Sequence, residues 1–229
     1  MSEWTNWQES FRCGVLVIVP PERVRRTVDR LRAEYDPTSH SYFGTHITLT
    51  QPMVRQPRED DWARLVQVAA GFDAFLIEYG PPDSFLPYPC IWFRIRPKER
   101  VLEIRKAFHG VGLFNLGLPH TDDFIPHMTI TEGRSGRKVD EELLAGLRDR
   151  SVEGSFICRE IAYIIPNPRF RFAVRRTLKL RRRVKAAASQ GTARQDGLLG
   201  RDDGDSHWLT ADSLRHGEKM RDKRNRRGR

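Results

Sequence analysis

The chain has 229 residues, enough for one domain of ordinary size or one bilobal domain with a tail, and its longest apolar run, Val15-Leu16-Val17-Ile18-Val19, is too short for a signal core or a membrane span. Cys13, Cys90 and Cys158 are odd in number, far apart and without a C-x-x-C pair, so they read as reduced thiols of a cytoplasmic protein, not as a disulfide frame or a zinc site. The net charge of +10 is unevenly placed: residues 181–229 hold 14 Lys+Arg against 7 Asp+Glu, which leaves 26 against 23 in residues 1–180, so the folded part need not be a general nucleic-acid binder.

In chain order, Gly14 to Pro20 reads as a buried strand, and Pro20-Pro21 opens a helix with Val24, Val28, Leu31 and Tyr35 on one face. Asp36-Pro37 ends it. A strand is expected near 45–51, then a helix from Asp60 to Ala70 with Trp62, Leu65, Val66 and Ala69 inward and Gly71 as its stop, then a strand from Phe75 to Tyr79. The order then repeats. Ile91 to Ile95 is a strand, Pro97 opens a helix carrying Val101, Ile104, Arg105 and Phe108 along one side, a strand lies near 127–131, and Asp140 to Arg148 is a helix. Phe156 to Ile165, split around Ala162, and Phe170 to Leu180 finish as strands.

Two strands in this series carry the same text. His46-Ile47-Thr48-Leu49-Thr50 and His127-Met128-Thr129-Ile130-Thr131 both read His, apolar, Thr, apolar, Thr. Side chains two apart share a face of a strand, so each copy should project its His and both threonines together and bury its apolar pair. Equivalent landmarks lie about 80 residues apart, which predicts two copies of strand–helix–His strand–helix–strand about an approximate two-fold axis, with both His strands at a central cleft. The tail from Arg181-Arg182-Arg183 to Lys223-Arg224-Asn225-Arg226-Arg227 has few apolar residues, so disorder is its expected state, with two uses open to it: a plain solvated extension or an electrostatic tether for RNA.

Two imidazoles suit phosphodiester cleavage, because one can take a proton from water while the other gives one to the leaving oxygen. A hydroxyl two residues along can hold a non-bridging phosphate oxygen. Gly44-Thr45-His46-Ile47-Thr48-Leu49 and Phe124-Ile125-Pro126-His127-Met128-Thr129-Ile130, with the strand Cys90-Ile91-Trp92-Phe93, resemble the paired signature of the two-histidine phosphoesterases, the 2′-5′ RNA ligase-like family, over about residues 12–180.

That resemblance implies an α+β fold, bilobal with pseudo-two-fold duplication, antiparallel sheets lining a central cleft and helices outside. It also implies opening of 2′,3′-cyclic phosphate ends to 2′-phosphates without metal, ATP or other cofactor, sometimes with 2′-5′ ligation. His46 and His127 match the family's catalytic histidines, and Thr48 and Thr129 its phosphate-binding hydroxyls; which histidine is acid and which base stays open. The expected partners are RNA or nucleotide cyclic-phosphate ends, met by a monomer. Where many members carry an Arg soon after the second motif, this chain has Thr131-Glu132-Gly133-Arg134; Arg134 is the available substitute, and a Glu132 facing the cleft would repel RNA phosphates.

Three other readings compete. His40, His46, His120 and His127 could supply a zinc site, though their spacing fits no usual ligand pattern, and His40 and His120 read better as loop or surface residues. A non-catalytic RNA-binding module of the same fold could stack bases on Tyr42, Phe43, Trp92 or Phe93. A third reading is a phosphodiesterase for a small cyclic phosphate such as ADP-ribose 1″,2″-cyclic phosphate.

Overall fold

The computed structural model describes residues 4–182, so apart from Arg181 and Arg182 the basic tail expected over 181–229 lies outside the described residues. The elements are α1 (Asn6–Glu9), β1 (Val15–Ile18), α2 (Glu22–Tyr35), α3 (Pro37–Tyr42), β2 (Ile47–Thr48), α4 (Glu59–Ala70), β3 (Phe75–Ser84), β4 (Ile91–Arg96), α5 (Lys98–His109), β5 (His127–Thr131), α6 (Glu141–Asp149), β6 (Gly154–Cys158), β7 (Glu160–Pro166) and β8 (Phe172–Lys179). Among the described residues, no helix is long and apolar enough to cross a membrane.

The strands form two antiparallel sheets, ordered β2-β1-β7-β8 and β5-β4-β3-β6. A His strand is the edge of each, paired to the strand that precedes it: Val17 opposes Thr48 in one sheet and Trp92 opposes Thr129 in the other. The two-fold repeat is therefore present, but its copies are not self-contained lobes. β3, the last strand of the first copy, crosses to the second sheet, and β7 fills the corresponding place beside β1.

Alternation sets the two faces of each sheet. Leu16, Ile18, Ile47, Phe93, Met128 and Ile130 are wholly buried in the main core with the inward residues of α2, α5 and α6. Val15, Val17, Ala162 and Ile164 form a second cluster on the other face of the first sheet, and Phe85, Cys90 and Trp92 a third on the second sheet.

Four expectations are corrected. The strand predicted from Phe156 to Ile165 breaks at Arg159, not Ala162; Ala162 sits mid-strand opposite Val17, and the break sends β6 and β7 to different sheets. Val66 points to solvent, 46% exposed, because α4 buries the i, i+4 stripe Asp61, Leu65 and Ala69. Its buried Asp61 carboxylate is held by Arg55, Arg64 and the Arg58 amide. The segment after Asp36 is the short helix α3, started by Asp36 accepting the Ser39 amide at 3.1 Å. Thr50 and Thr131 are buried and lie past or at the strand ends: the Thr50 hydroxyl accepts the Leu16 amide at 3.1 Å, and the Thr131 hydroxyl accepts the Gly133 amide at 3.0 Å.

Candidate active site

The unburied face of both His strands lines one cavity of about 230 Å³. His46, Thr48, His127 and Thr129 all reach it, so the structure brings together the four side chains singled out in the sequence. Thr50 borders it as well, whereas Thr131 has turned into the core.

The two imidazoles are held in the same way. His46 Nδ1–H donates to Gly44 O at 2.8 Å, and His127 Nδ1–H donates to Ile125 O at 2.7 Å. A carbonyl can only accept, so each bond fixes Nδ1 as the protonated nitrogen and leaves Nε2 with its lone pair. The approach to the first motif is anchored separately: Asp29 accepts both the amide and the hydroxyl of Thr45 at 2.6 Å. The Thr48 and Thr129 hydroxyls make no hydrogen bond among the described residues, which leaves them free to bind a ligand.

Three arginines border the same cavity, and two of them tie its halves together. Arg32 of α2, 3% exposed, donates to Thr129 O at 2.6 Å and to Phe43 O at 3.4 Å, so one guanidinium spans from the approach to the first motif to the strand of the second. Arg105 of α5, 4% exposed, donates to Leu49 O in the first motif at 2.9 Å. Each repeat thus sends a helix arginine to the backbone of the other repeat's motif. Arg134 donates to Glu132 at 2.6 Å, and Asp36 accepts the amides of Glu132 and Arg134, which fixes the turn after the second motif. The Glu132 carboxylate does face the cavity, but paired with Arg134 it presents no isolated negative charge to a phosphate.

These surroundings disfavour imidazolium. Burial first, then the Arg32 charge and the facing His127, pushes the His46 pKa down to about 4 against the upward pull of Gly44 O and Glu132. Burial lowers His127 too, opposed by its bond to Ile125 O and by Glu132. Aromatic rings supply the dry environment: Phe43 lies 5.2 Å from the His46 ring, and Phe85, Trp92 and Phe124 lie 5.2, 5.8 and 6.1 Å from His127. Of the four aromatics considered for base stacking, Tyr42 and Phe43 border the cavity, whereas Phe93 is core and Trp92 packs behind His127.

The sequence reading missed several cavity residues. Arg32 left a signal, a charge at a position on the apolar stripe 28, 31, 35 of α2. Trp7, Phe11, Phe170 and Phe172 left none, because they come together only when α1 meets the turn before β8. His120 is not a free loop residue: it lines the cavity with Nδ1 3.1 Å from Asp123. His40 instead sits on α3 facing Asp29 at 3.6 Å, and among the described residues no group of three His, Cys, Asp or Glu is arranged to hold a metal ion.

Comparison with known proteins places this geometry in a family. Residues 20–167 match the family model of the 2′-5′ RNA ligase superfamily. A search of curated proteins returned no significant match. Among solved structures, E. coli LigT complexed with NADP+ superposes with a TM-score of 0.50 at 15% identity, covering 75% of this chain and 98% of that one. The protein TT0787 of Thermus thermophilus superposes with a TM-score of 0.51 at 13% identity, covering 73% of this chain and 97% of that one. At such identities the superpositions speak for the fold, and the family model, which spans more than half the chain, for kinship: the protein belongs to the 2′-5′ RNA ligase superfamily.

Proposed function

We propose that the protein is a phosphodiesterase that opens 2′,3′-cyclic phosphate ends of RNA or nucleotides to 2′-phosphates by paired-histidine acid–base catalysis. The observation that carries this reading is the matched pair of imidazoles, each locked by a carbonyl at Nδ1, bordering one cavity beside two unengaged threonine hydroxyls.

We take His46 as the base, because burial and the nearby Arg32 charge both hold its imidazole neutral. Its Nε2 removes a proton from water as the water oxygen bonds to phosphorus. Protonated His127 gives its Nε2 proton to the departing 3′-oxygen as the P–O3′ bond breaks. The product is a 2′-phosphomonoester, and proton exchange with solvent resets both rings. Thr48 and Thr129 donate to the non-bridging oxygens, and the Arg32 charge favours the dianionic transition state. Each imidazole contributes about 10²–10⁴ in rate. Both protons move between side chains, water and substrate, so the scheme calls on no metal or cofactor.

The aromatic half of the cavity, with Tyr42, Phe43, Phe170 and Phe172, supports a nucleotide over a bare sugar phosphate, because rings of this kind stack bases. A monomer is the assembly proposed with this site, and three free cysteines suit the cytoplasm. Contact of the tail with longer RNA belongs to the same reading.

Incubating the purified protein with a nucleoside 2′,3′-cyclic phosphate and a chelator should yield the 2′-monophosphate. Salt-dependent retention of RNA without turnover would instead identify a non-catalytic binding module, and turnover confined to ADP-ribose 1″,2″-cyclic phosphate a small-molecule enzyme.

A further inference from the structure

The chain that leads into the second motif is a loop, and hydrogen bonds from the end of the first motif hold it. After α5, residues 113–115 lie against 52–54: the Val54 amide donates to Leu113 O at 3.0 Å and the Asn115 amide to Pro52 O at 2.9 Å. From Leu116 to Phe124 the chain runs as turns and bends. Pro119, His120, Asp123 and Phe124 of this loop border the cavity, and the next residue, Ile125, supplies the carbonyl that fixes His127 Nδ1. Two side chains from elsewhere in the fold bond to the loop. Gln51 donates from Nε2 to Pro119 O and to the Thr121 hydroxyl, both at 3.0 Å. Arg105 donates from Nη2 to His120 O at 3.1 Å, and its guanidinium stacks 4.1 Å over Phe124, whose ring is 6.1 Å from that of His127.

Gln51 is itself clamped at its root. Its backbone amide donates to His109 Nε2 at 3.0 Å, and because an N–H can only donate, that nitrogen keeps its lone pair and Nδ1 carries the proton. Burial, then the Arg105 charge, pushes the His109 pKa down to about 4, so the acceptor is in place at neutral pH. Arg105 and His109 stand one turn apart on α5, and together they grip Leu49 O and the Gln51 amide on either side of Thr50. The Gln51 amide group therefore reaches the loop from a fixed base. We infer that Gln51 is a positioning residue for the second histidine: it latches the 116–124 loop onto the end of the first motif, and through Ile125 O it keeps the His127 ring in the one tautomer and orientation. Its effect on rate rests on the phosphodiesterase reading; its effect on the ring does not. The alternative is that packing of Ile125 against the Phe85, Cys90 and Trp92 cluster holds the carbonyl without help from the latch.

The experiment uses the full chain with isotope-labelled histidine. Nitrogen NMR at neutral pH reads the His127 tautomer, assigned through His127→Asn, and kcat and KM are measured on a nucleoside 2′,3′-cyclic phosphate. Gln51→Met keeps the length of the side chain and removes both donors; Thr121→Val keeps the shape of the loop residue and removes one of the two acceptors. The wild type should show His127 as a single Nδ1–H tautomer. Gln51→Met should mix the two tautomers and lower kcat by about 10- to 100-fold while KM changes by less than about 3-fold. Thr121→Val should move both readouts in the same direction by less, and it decides the matter if circular dichroism shows Gln51→Met to be unfolded. A His127 spectrum unmoved in a folded Gln51→Met protein would overturn the latch and leave the packing of Ile125 as the cause. A raised KM at unchanged kcat would overturn it as well, because Gln51 would then act on the substrate directly. Absence of turnover by the wild type would overturn the phosphodiesterase reading, and the His127 spectrum would still decide for or against the latch.

Discussion

At the scale of single residues, the chemistry depends on how proteins hold an imidazole. A backbone carbonyl two residues upstream fixes Nδ1–H in both motifs, and the cavity walls remove the water that would favour the charged form. The pH dependence of kcat/KM follows. His46 must be unprotonated to act as base, and with its pKa pushed down to about 4, activity should fall as pH drops through about 4, not 6.5. His127 must hold a proton, and because burial lowers its pKa, activity should also fall as pH rises through a value below 6.5. The profile should therefore be a bell with both limbs on the acid side of 6.5, and an optimum above pH 7 would contradict the assignment.

The threonines act differently, by donating one hydrogen bond each, so Thr48→Ala and Thr129→Ala should lower kcat by about 10²–10³ and leave residual turnover measurable on the same substrate. These four side chains were legible because a strand alternates its faces, so spacing alone puts His and the first Thr together. Thr131 escaped the pattern because alternation stops counting where a strand ends, and its hydroxyl accepts the Gly133 amide, whereas Thr50 keeps to the cavity wall with its hydroxyl on the Leu16 amide. His120 was not legible at all, since its partners Asp123 and Arg105 matter only once a loop has folded back over α5.

At the scale of elements, the helices behind the two motifs do more than cover a sheet. α2 and α5 each bury one arginine in an otherwise apolar stripe, and each arginine ends on a carbonyl of the opposite repeat. Arg32→Met keeps the bulk of the stem but removes the hydrogen bonds to Thr129 O and Phe43 O. It should cost about 1.5–3 kcal/mol in urea unfolding and lower turnover as well, because the hydrogen bonds it removes span the two halves of the cleft. Unchanged stability and rate would show that the clasp is idle. Prolines and glycines marked the helices well: Pro21 and Pro97 stand at the N-caps of α2 and α5, and Gly71 follows α4. Their inward faces were read less well where a polar residue took a core position, as Asp61 does in α4 and displaces Val66 outward.

At the scale of the molecule, duplication was visible in the spacing of the motifs, whereas the exchange of β3 between sheets was not, because strand order is decided by long-range pairing that no local pattern encodes. The exchange means that neither repeat owns its sheet, so the two histidines are set by one shared framework. The folded part reaches slightly past β8: Arg181 donates its amide to Phe72 O and accepts the Ala74 amide, both at 2.8 Å. A chain ending at Arg182 should therefore fold and hydrolyse a cyclic mononucleotide at the full-length rate while binding long RNA more weakly, as measured by circular dichroism, turnover and filter retention. Unfolding of that truncated protein would show that the tail belongs to the domain.

The central claim is that His46 and His127 act as one unit on one phosphorus. Turnover of a nucleoside 2′,3′-cyclic phosphate by His46→Ala, His127→Ala and the double variant tests it most directly, with circular dichroism to verify folding. The single variants should each lose at least about 10²-fold, and the double variant should lose little more than the worse of them, because a unit broken once is already broken. Near-wild-type turnover by either single variant, or losses that simply multiply in the double, would contradict it.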